Sequence, residues 1–466
     1  MIYQQLYNRS NAKKPVTFAL IGAGHYGTKL VTQSMNQPLS RASAVSDVNL
    51  ELARNAYKYS GIPDEDIVFC DSHKSAIAAM DAGKRIITDD AMILMELPID
   101  VIAEGTGVPE SGAKHAYGAI QNGKHVAMIN KETDSAVGPI LKRLADKAGL
   151  VYTAVDGDQH GLLMGLTSWA RGQGYEILCG GKFRDGEYFY DKDRKALAHV
   201  WDLSNIQYNI SVHDDDLWAM DVIPDGVNVE PYLQKRKEIV PNSRLAGFDF
   251  CEMTIACNTL GFAPSAPALN GPFLRVSEIP SVLCLKEDGG ILEKPGVVDG
   301  VTFLSDKGGV IGGGGVFIVV SCEKNYAGKA LAQMNLHNRN ETAAVIYRPY
   351  HFTGIETLSS ILCAALLNIP TGSDEYLPRY DIVRTAAVDL QAGFTMFDDH
   401  GMKFIETLIL PASKKSGNAP VPAHLTDRNK LLVDVPRGTV ITYNMIEQPA
   451  DSLLWSLRKQ QDELFL

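Results

Sequence analysis

Gly22-Ala23-Gly24-His25-Tyr26-Gly27 follows the apolar run Val16 to Ile21 and opens a stretch with helical spacing, Tyr26 to Met35. An apolar strand that stops at glycine and turns into a helix is the entry to a dinucleotide-binding βαβ unit. In such a turn Gly22 permits the tight bend, Gly24 lets backbone amides approach a pyrophosphate, and Gly27 lets the helix pack on the strand. His25 and Tyr26 stand in the first turn of that helix and are read with the coenzyme site. The next apolar run, Ala42 to Ser46, ends at Asp47, 20 residues after Gly27, where an acid holds the adenosine ribose hydroxyls. Val48 and Asn49 follow it, which leans toward NAD, although Arg41 or Lys29 could fold over the 2′-phosphate of NADP.

Three more apolar runs end in small or polar residues. Ile99 to Ala103 leads into Glu104-Gly105-Thr106-Gly107, His125 to Ile129 into Asn130-Lys131-Glu132, and Leu150 to Val155 into Asp156-Gly157-Asp158-Gln159-His160. Helices are expected over Ser111 to Asn122 and roughly Val137 to Ala148, and Leu50 to Gly83 is helical in tone. Function in a doubly wound sheet sits beyond the carboxyl ends of its strands, so these termini should line one crevice. Gly105, Thr106, Gly107 and Asn130 are expected near the nicotinamide ribose. Lys131 would bind a developing oxyanion or shuttle a proton, the alternative being a surface salt bridge, with Glu132 beside it at the substrate. Asp156, Asp158 and His160 suit a proton relay, a divalent ion, or a helix cap.

After about His160 the pattern changes. Phe183 to Asp202 and His213 to Asn242 read as long irregular segments, Ile291 to Phe303 and Val310 to Val320 as sheet, and Thr353 to Leu367 as a helix that returns to close the first domain. Gly312-Gly313-Gly314-Gly315 marks a strand connection rather than a phosphate loop, since no GK[ST] follows. Glu252, in an apolar setting, is either paired in the core or facing the active site. Arg348 and His351 offer a cation and a proton donor, either for a substrate phosphate or carboxylate or for a structural pair with an acid. Beyond Gly372 short strand-plus-glycine-turn segments suggest a small β-rich unit. The expected architecture is α/β: a Rossmann-type doubly wound sheet over residues 1–155, an α+β unit over 156–375, and the β-rich unit over 376–466.

The chain has 466 residues and a formal net charge of -11, which argues against nucleic acid as a partner. Its seven cysteines lack CxxC pairing and read as reduced thiols of a cytoplasmic protein. No signal peptide or membrane span is expected.

The GAGHYG turn, the EGTG and NKE strand ends, the block Gly289 to Asp299 and Tyr347-Arg348-Pro349-Tyr350-His351 together resemble homoserine dehydrogenase-like oxidoreductases that carry a C-terminal SAF domain. Within that family the resemblance is to the deoxyxylulose-phosphate reductoisomerase-like (DXR-like) branch. It implies a catalytic and dimerisation domain, hence a homo-oligomer, and a SAF domain around Asp381 to Pro449. It also implies that Lys294 lies near the active site and that Arg348 and His351 belong to the substrate region. In that branch NADPH reduces an aldehyde formed by skeletal rearrangement, and a divalent metal assists. Lys131, Gln159-His160 and the lack of basic residues after Asp47 set this chain apart from it; Lys131 resembles the lysine of ordinary homoserine dehydrogenases. The expected activity is therefore an NAD(P)-dependent reduction or reductoisomerisation of a small phosphorylated or carboxylated hydroxy-carbonyl compound. The alternatives are alcohol dehydrogenation without rearrangement and an inactive nucleotide sensor.

Overall fold

Seven parallel strands build the first sheet: β1 (Val16–Ile21), β2 (Ser40–Ser46), β3 (Ile67–Phe69), β4 (Arg85–Thr88), β5 (Val101–Glu104), β6 (His125–Met128) and β7 (Tyr152–Ala154). Their order is β3-β4-β2-β1-β5-β6-β7. The direction of winding reverses between β1 and β5, and a ligand crevice opens at such a switch point. The strands read as near-continuous apolar runs because helices cover both faces and leave no side wet; Phe18, Ala19 and Leu20 of β1 are all fully buried. The computed structural model describes residues 2–9, 14–200, 206–306, 314–322, 325–397 and 403–466.

Two of these strands depart from the sequence reading. β3, and β4 just beyond it, interrupt and follow the stretch Leu50 to Gly83, which holds α-helices at Leu50–Tyr59 and His73–Asp81 and a single 3-10 turn at Asp64–Asp66. Strands of three and four residues are too short to display a period of two. The five expected strands are present. Helices α1 (His25–Ser34) and α2 (Pro109–Gln121) lie where expected, but α3 (Lys131–Lys147) begins six residues before Val137. Its cap is Asn130, whose side chain accepts from Thr133 N, so Lys131 stands on the first turn of a helix. Pro139 interrupts the ladder of α3, and Gln461 takes up the broken turn: its Oε1 accepts from Ile140 N at 3.2 Å and its Nε2 donates to Ala136 O at 3.3 Å.

Past α4 (Gln159–Gly172) the chain forms a second, mixed sheet of nine strands among the described residues. Its axis is β8 (Ile177–Asp191), which pairs antiparallel with β9 (Ala196–Val200) and parallel with β10 (Val297–Asp306). Opposite β10, on the same side as β9, β8 also pairs antiparallel with β11 (Val316–Ser321), and β11 pairs with β12 (Ala343–Arg348). The expectation of irregular structure over Phe183 to Asp202 is therefore wrong up to Val200: that stretch is mostly β8 and β9, disguised by its charged residues, and Trp201 and Asp202 lie outside the described residues. His213 to Asn242 likewise contains a helix, Glu230–Ile239, stapled by the fully buried Arg236, which donates to both oxygens of Glu278 at 2.7 and 2.8 Å. Gly312 and Gly313, with the start of the run expected from Val310, lie outside the described residues.

Helix α5 (Gly247–Leu260) is packed between α3, α4 and β10, with almost every side chain buried. Helix α6 (Thr357–Leu367) returns to the first sheet, where Leu358, Ile361 and Leu362 share a core cluster with Phe18, Leu20, Val101 and Ala127. The C-terminal region contributes one regular antiparallel pair, β13 (Tyr380–Ala386) with β14 (Ile405–Pro411), and helix α7 (Leu453–Phe465) on α3. Arg458 of α7 holds Asp381 through both guanidinium termini at 2.6 and 2.7 Å. A single apolar cluster runs from the first sheet through α5 to Ile382, Val421, Leu454 and Leu457. All seven cysteines are free and buried, and no described helix is long and apolar enough to cross a membrane.

Candidate active site

Gly22 has φ +94°, and a Cβ there would come within 2.5 Å of Gly105 O, so the glycine turn and the end of β5 touch across the switch point. A Cβ on Gly27 would meet Gly22 O at 2.3 Å, whereas nothing lies within 4 Å of one on Gly24. The open side of the turn is thus at Gly24, over the N-terminus of α1, where free amides and the helix dipole favour an anion. Asp47 receives Ala23 N on Oδ2 at 2.7 Å and Asn49 N on Oδ1 at 2.8 Å. Arg41 cannot serve a 2′-phosphate there, because it sits at the opposite end of β2 and donates to Gly83 O at 2.8 Å. Lys29 is also engaged, donating to Thr353 Oγ1 at 2.9 Å. His25 is exposed; Tyr26 turns inward to share a 2.7 Å hydrogen bond with Thr357 Oγ1 of α6.

The strand ends are tied together by side chains. Glu104 is fully buried, and its Oε1 accepts from Thr106 Oγ1 at 2.6 Å and lies 3.1 Å from His115 Nδ1. Asn130 Nδ2 donates to Thr106 Oγ1 at 3.1 Å and to Val108 O at 3.2 Å, fixing the ends of β5 and β6 relative to each other. Gly107 takes φ +67°, which lets the chain leave β5 sharply.

Beyond these ends lies a buried cluster of charges. Lys131 Nζ is 2.5 Å from Glu252 Oε1, and Lys182 Nζ of β8 is 2.5 Å from Glu252 Oε2 and 2.7 Å from Asp249 Oδ1. Lys182 is completely enclosed, whereas the Lys131 side chain keeps 21% of its surface exposed. Asp158 caps α4 by accepting Gln159 N at 2.9 Å. Next to it His160 is 1% exposed, its Nδ1 is 3.8 Å from Asp158 Oδ1, and neither ring nitrogen has a hydrogen-bond partner. Burial works against the charge of Lys131, but Asp158 and Glu252 outweigh it and hold its pKa well above the ordinary lysine value. Burial likewise pushes both acids up, and the neighbouring ammonium groups overcome it, Lys131 at Asp158 and Lys131 with Lys182 at Glu252, so both carboxyls stay below their usual range. His160 is displaced downward by burial against the pull of Asp158 and Glu252, which favours the neutral ring.

Ligand atoms of Asp158, His160 and Glu252 lie within 4.8 Å of one another, a donor set a divalent cation could use. The arrangement does not fit one, however. Each oxygen of Glu252 already faces an ammonium group, so a metal bound through either one would have to displace a lysine that neutralises the carboxylate.

The sequence-derived candidates divide. Lys131, Asp158, His160 and Glu252 come together. His351 joins them from the loop after β12: its Nδ1 is buried without a hydrogen-bond partner, and the ring acts on the charge of Asp158. Glu132 acts electrostatically on both Lys131 and Cys251. Asp156 turns the other way, accepting from Ser359 Oγ at 2.5 Å, and with Arg348 lines a separate groove of about 640 Å³ under Tyr3 and Tyr7. Burial pushes the Asp156 carboxyl up to about 6 against that hydrogen bond. Arg348 pairs with Glu356 and stacks 4.8 Å over the Tyr350 ring. Lys294 is exposed beside Phe262 and Arg379 and does not approach the cluster. Missed altogether were Lys182 and Asp249, each fully buried at the centre of the site.

Residues 248–357 match the family model described as "Oxidoreductase DRL, catalytic domain". That segment contributes Asp249, Glu252 and His351 to the cluster. No curated protein matches the chain. Solved structures similar to part of it include biliverdin reductase from Synechocystis sp. PCC 6803 in complex with biliverdin and NADP+, at 19% identity over 39% of this chain and 49% of that one, with a TM-score of 0.24. Others are 1-deoxy-D-xylulose 5-phosphate reductoisomerase from Zymomonas mobilis in complex with NADPH (17% identity, 36% and 46% covered, TM-score 0.27) and an NAD binding oxidoreductase from Klebsiella pneumoniae (18%, 38% and 44%, 0.25). The chain spans less than half the length of each of these structures, and scores at that level carry no argument about substrate. The matched segment is that of an oxidoreductase catalytic domain, and the first sheet has the strand order of a doubly wound dinucleotide-binding fold.

Proposed function

We propose that the enzyme transfers a hydride between a nicotinamide and a small hydroxy-carbonyl compound bearing a phosphate or carboxylate, with Lys131 as the residue that meets the reacting oxygen. The observation that supports this reading best is the contrast between the two lysines on Glu252: Lys182 is sealed, whereas Lys131 stands at the end of β6 with part of its side chain open to the crevice. An ammonium held there by Glu252 and Asp158 costs no reorganisation when negative charge develops on a substrate oxygen, and a water-poor site strengthens that interaction. The coenzyme supplies the hydride. Neutral His160, with both ring nitrogens unengaged, is the group that takes or returns the proton, and Asp158 remains ionised as its charge partner. Asp47 followed by no cation, with Arg41 and Lys29 occupied elsewhere, favours NAD over NADP. Simple alcohol dehydrogenation requires nothing beyond these groups, so it stands beside reductoisomerisation as the second reading.

The test is turnover followed at the nicotinamide absorbance over phosphorylated and carboxylated hydroxy-carbonyl compounds, with NADH and NADPH in parallel. Turnover with preference for NADH is the expected result. Tight coenzyme binding without turnover on any such compound would overturn the proposal in favour of a nucleotide sensor.

A further inference from the structure

The face of α5 next to Glu252 carries an arrangement that hydride transfer does not use. Cys251 Sγ lies 3.2 Å from Nε2 of His424, and Nδ1 of the same ring lies 3.0 Å from Asp427 Oδ2. Asp427 Oδ1 in turn lies 2.7 Å from Arg384 Nη2. Thiol, imidazole, carboxylate and guanidinium thus stand in a line drawn from α5, β13 and the turn at His424 to Asp427. A buried cysteine beside a histidine is often mere packing. Here the third and fourth members decide otherwise. Burial would raise the Asp427 carboxyl, but Arg384 and His424 hold it down to about 2, so it is an anion that orients the ring with Nδ1–H toward itself. That leaves Nε2 facing sulfur, the geometry of a general base on a nucleophile. Burial works against the basicity of His424, but Cys251 and Asp427 overcome it and raise it well above the ordinary value, while burial raises the Cys251 thiol against the pull of the ring. Among the other cysteines, Cys70 and Cys179 meet backbone carbonyls and Cys363 meets a tyrosine hydroxyl.

Access is narrow. Cys251 is 2% and His424 6% exposed, but His424 and Asp427 line a cavity of about 490 Å³ between the C-terminal region and the Gly107 to Glu110 turn. Cys251 itself does not line that cavity; the His424 ring, in contact with its sulfur, does.

We propose that Cys251, with His424 as its base and Asp427 orienting the ring, is a peroxide-reactive thiol, a modification site that makes the enzyme sensitive to oxidation. The thiol proton passes to His424 Nε2 as sulfur forms a bond to the terminal oxygen of a hydroperoxide. The O–O bond breaks, and the departing alkoxide, or hydroxide from hydrogen peroxide, takes the proton from His424. Sulfur is oxidised by two electrons to sulfenic acid while the peroxide is reduced to an alcohol or water. The reaction is independent of the coenzyme and of the identity of the substrate.

The test compares the seven cysteines inside one folded chain. Full-length protein is pulsed with hydrogen peroxide, quenched, denatured in an alkylating reagent, and each cysteine peptide is scored by mass spectrometry for loss of alkylatable thiol. Cys251 is expected to lose its thiol at least about tenfold faster than any other cysteine, and His424→Gln to remove that advantage, as loss of a general base should. Dithiothreitol added before denaturation restores the thiol. Oxidation of Cys251 in the wild-type protein no faster than that of the other six overturns the proposal, and this comparison needs no variant to fold. Unchanged oxidation of Cys251 in a folded His424→Gln protein overturns the role of the ring.

Discussion

Lys131 Nζ and Glu252 Oε1 meet at 2.5 Å across 121 residues of chain. This contact joins the first turn of α3 in the Rossmann-type sheet to the middle of α5, which packs on the second sheet. The charge cluster around Glu252 is therefore assembled only when both sheets are in place.

The two lysines on Glu252 should separate by variant. Lys131→Met is expected to lower turnover by about 10²–10³, the loss that follows removal of one stabilising donor, with coenzyme affinity little changed. Lys182→Met leaves Asp249 and one oxygen of Glu252 buried without a cation, and should instead cost about 3–5 kcal/mol of stability. Measuring kcat and the thermal midpoint of both variants decides the matter. The opposite pattern would give the reacting oxygen to Lys182.

A metal is not expected to matter. Chelation should leave turnover unchanged, and millimolar magnesium or manganese should not raise the thermal midpoint. A cation that bound only the native state would stabilise it by about 2.7 kcal/mol at a hundredfold excess over its dissociation constant, which a melting curve detects. Such a rise would show that Lys131 or Lys182 yields its oxygen of Glu252 to the ion.

The glycines of the coenzyme turn have separable duties. Gly24→Val places its side chain where nothing lies within 4 Å, so the fold should persist while dinucleotide affinity falls. Gly27→Ala drives a methyl to 2.3 Å from Gly22 O and should cost about 1–3 kcal/mol of stability even without coenzyme. Calorimetric titration and chemical denaturation of each variant read the two effects independently; unchanged affinity in Gly24→Val would remove the turn from pyrophosphate binding.

Asp134, buried in α3, has its carboxyl pushed up to about 7 by burial, against a 2.7 Å hydrogen bond from Tyr152. Its folded-state value lies above its unfolded one. As pH rises from about 4 to about 7 the unfolded chain ionises this group and the folded chain does not, so stability falls, and above about 7 the deficit is constant. Asp134→Asn keeps an acceptor for Tyr152 and cannot ionise. The difference in unfolding free energy between variant and wild type should therefore grow from pH 5 to 7 in favour of the variant, then level off. A difference independent of pH would mean that the carboxyl ionises normally in the fold.

The first sheet was legible wherever an apolar run ended in glycine or a polar cluster, which is why Gly22, Lys131, Asp158 and His160 could be named from the chain alone. β3 and β4 escaped because a few residues cannot show alternation. Lys182 was hidden differently: in Gly180-Gly181-Lys182-Phe183-Arg184-Asp185-Gly186 glycine and charge suggest a loop, and only the acids of α5 make a fully buried lysine tolerable in a strand. The grouping of Asp156 with Asp158 failed for a geometric reason. Gly157 turns the chain between them with φ +90°, and the two carboxylates leave in different directions. No local pattern could pair Cys251 with His424, which lie 173 residues apart.

The return of α6 to the first sheet has a consequence in time. As the chain leaves the ribosome, β7 is complete at Ala154, yet the helix that covers Phe18, Leu20 and Ala127 ends at Leu367. At the usual pace of synthesis that interval is on the order of 10–40 s. During it a broad apolar surface of the nascent coenzyme domain stands bare, a site for chaperone holding or for mispairing with a neighbouring nascent chain. Synonymous changes that slow translation between these two points should therefore lower the soluble yield without altering a single residue of the finished enzyme.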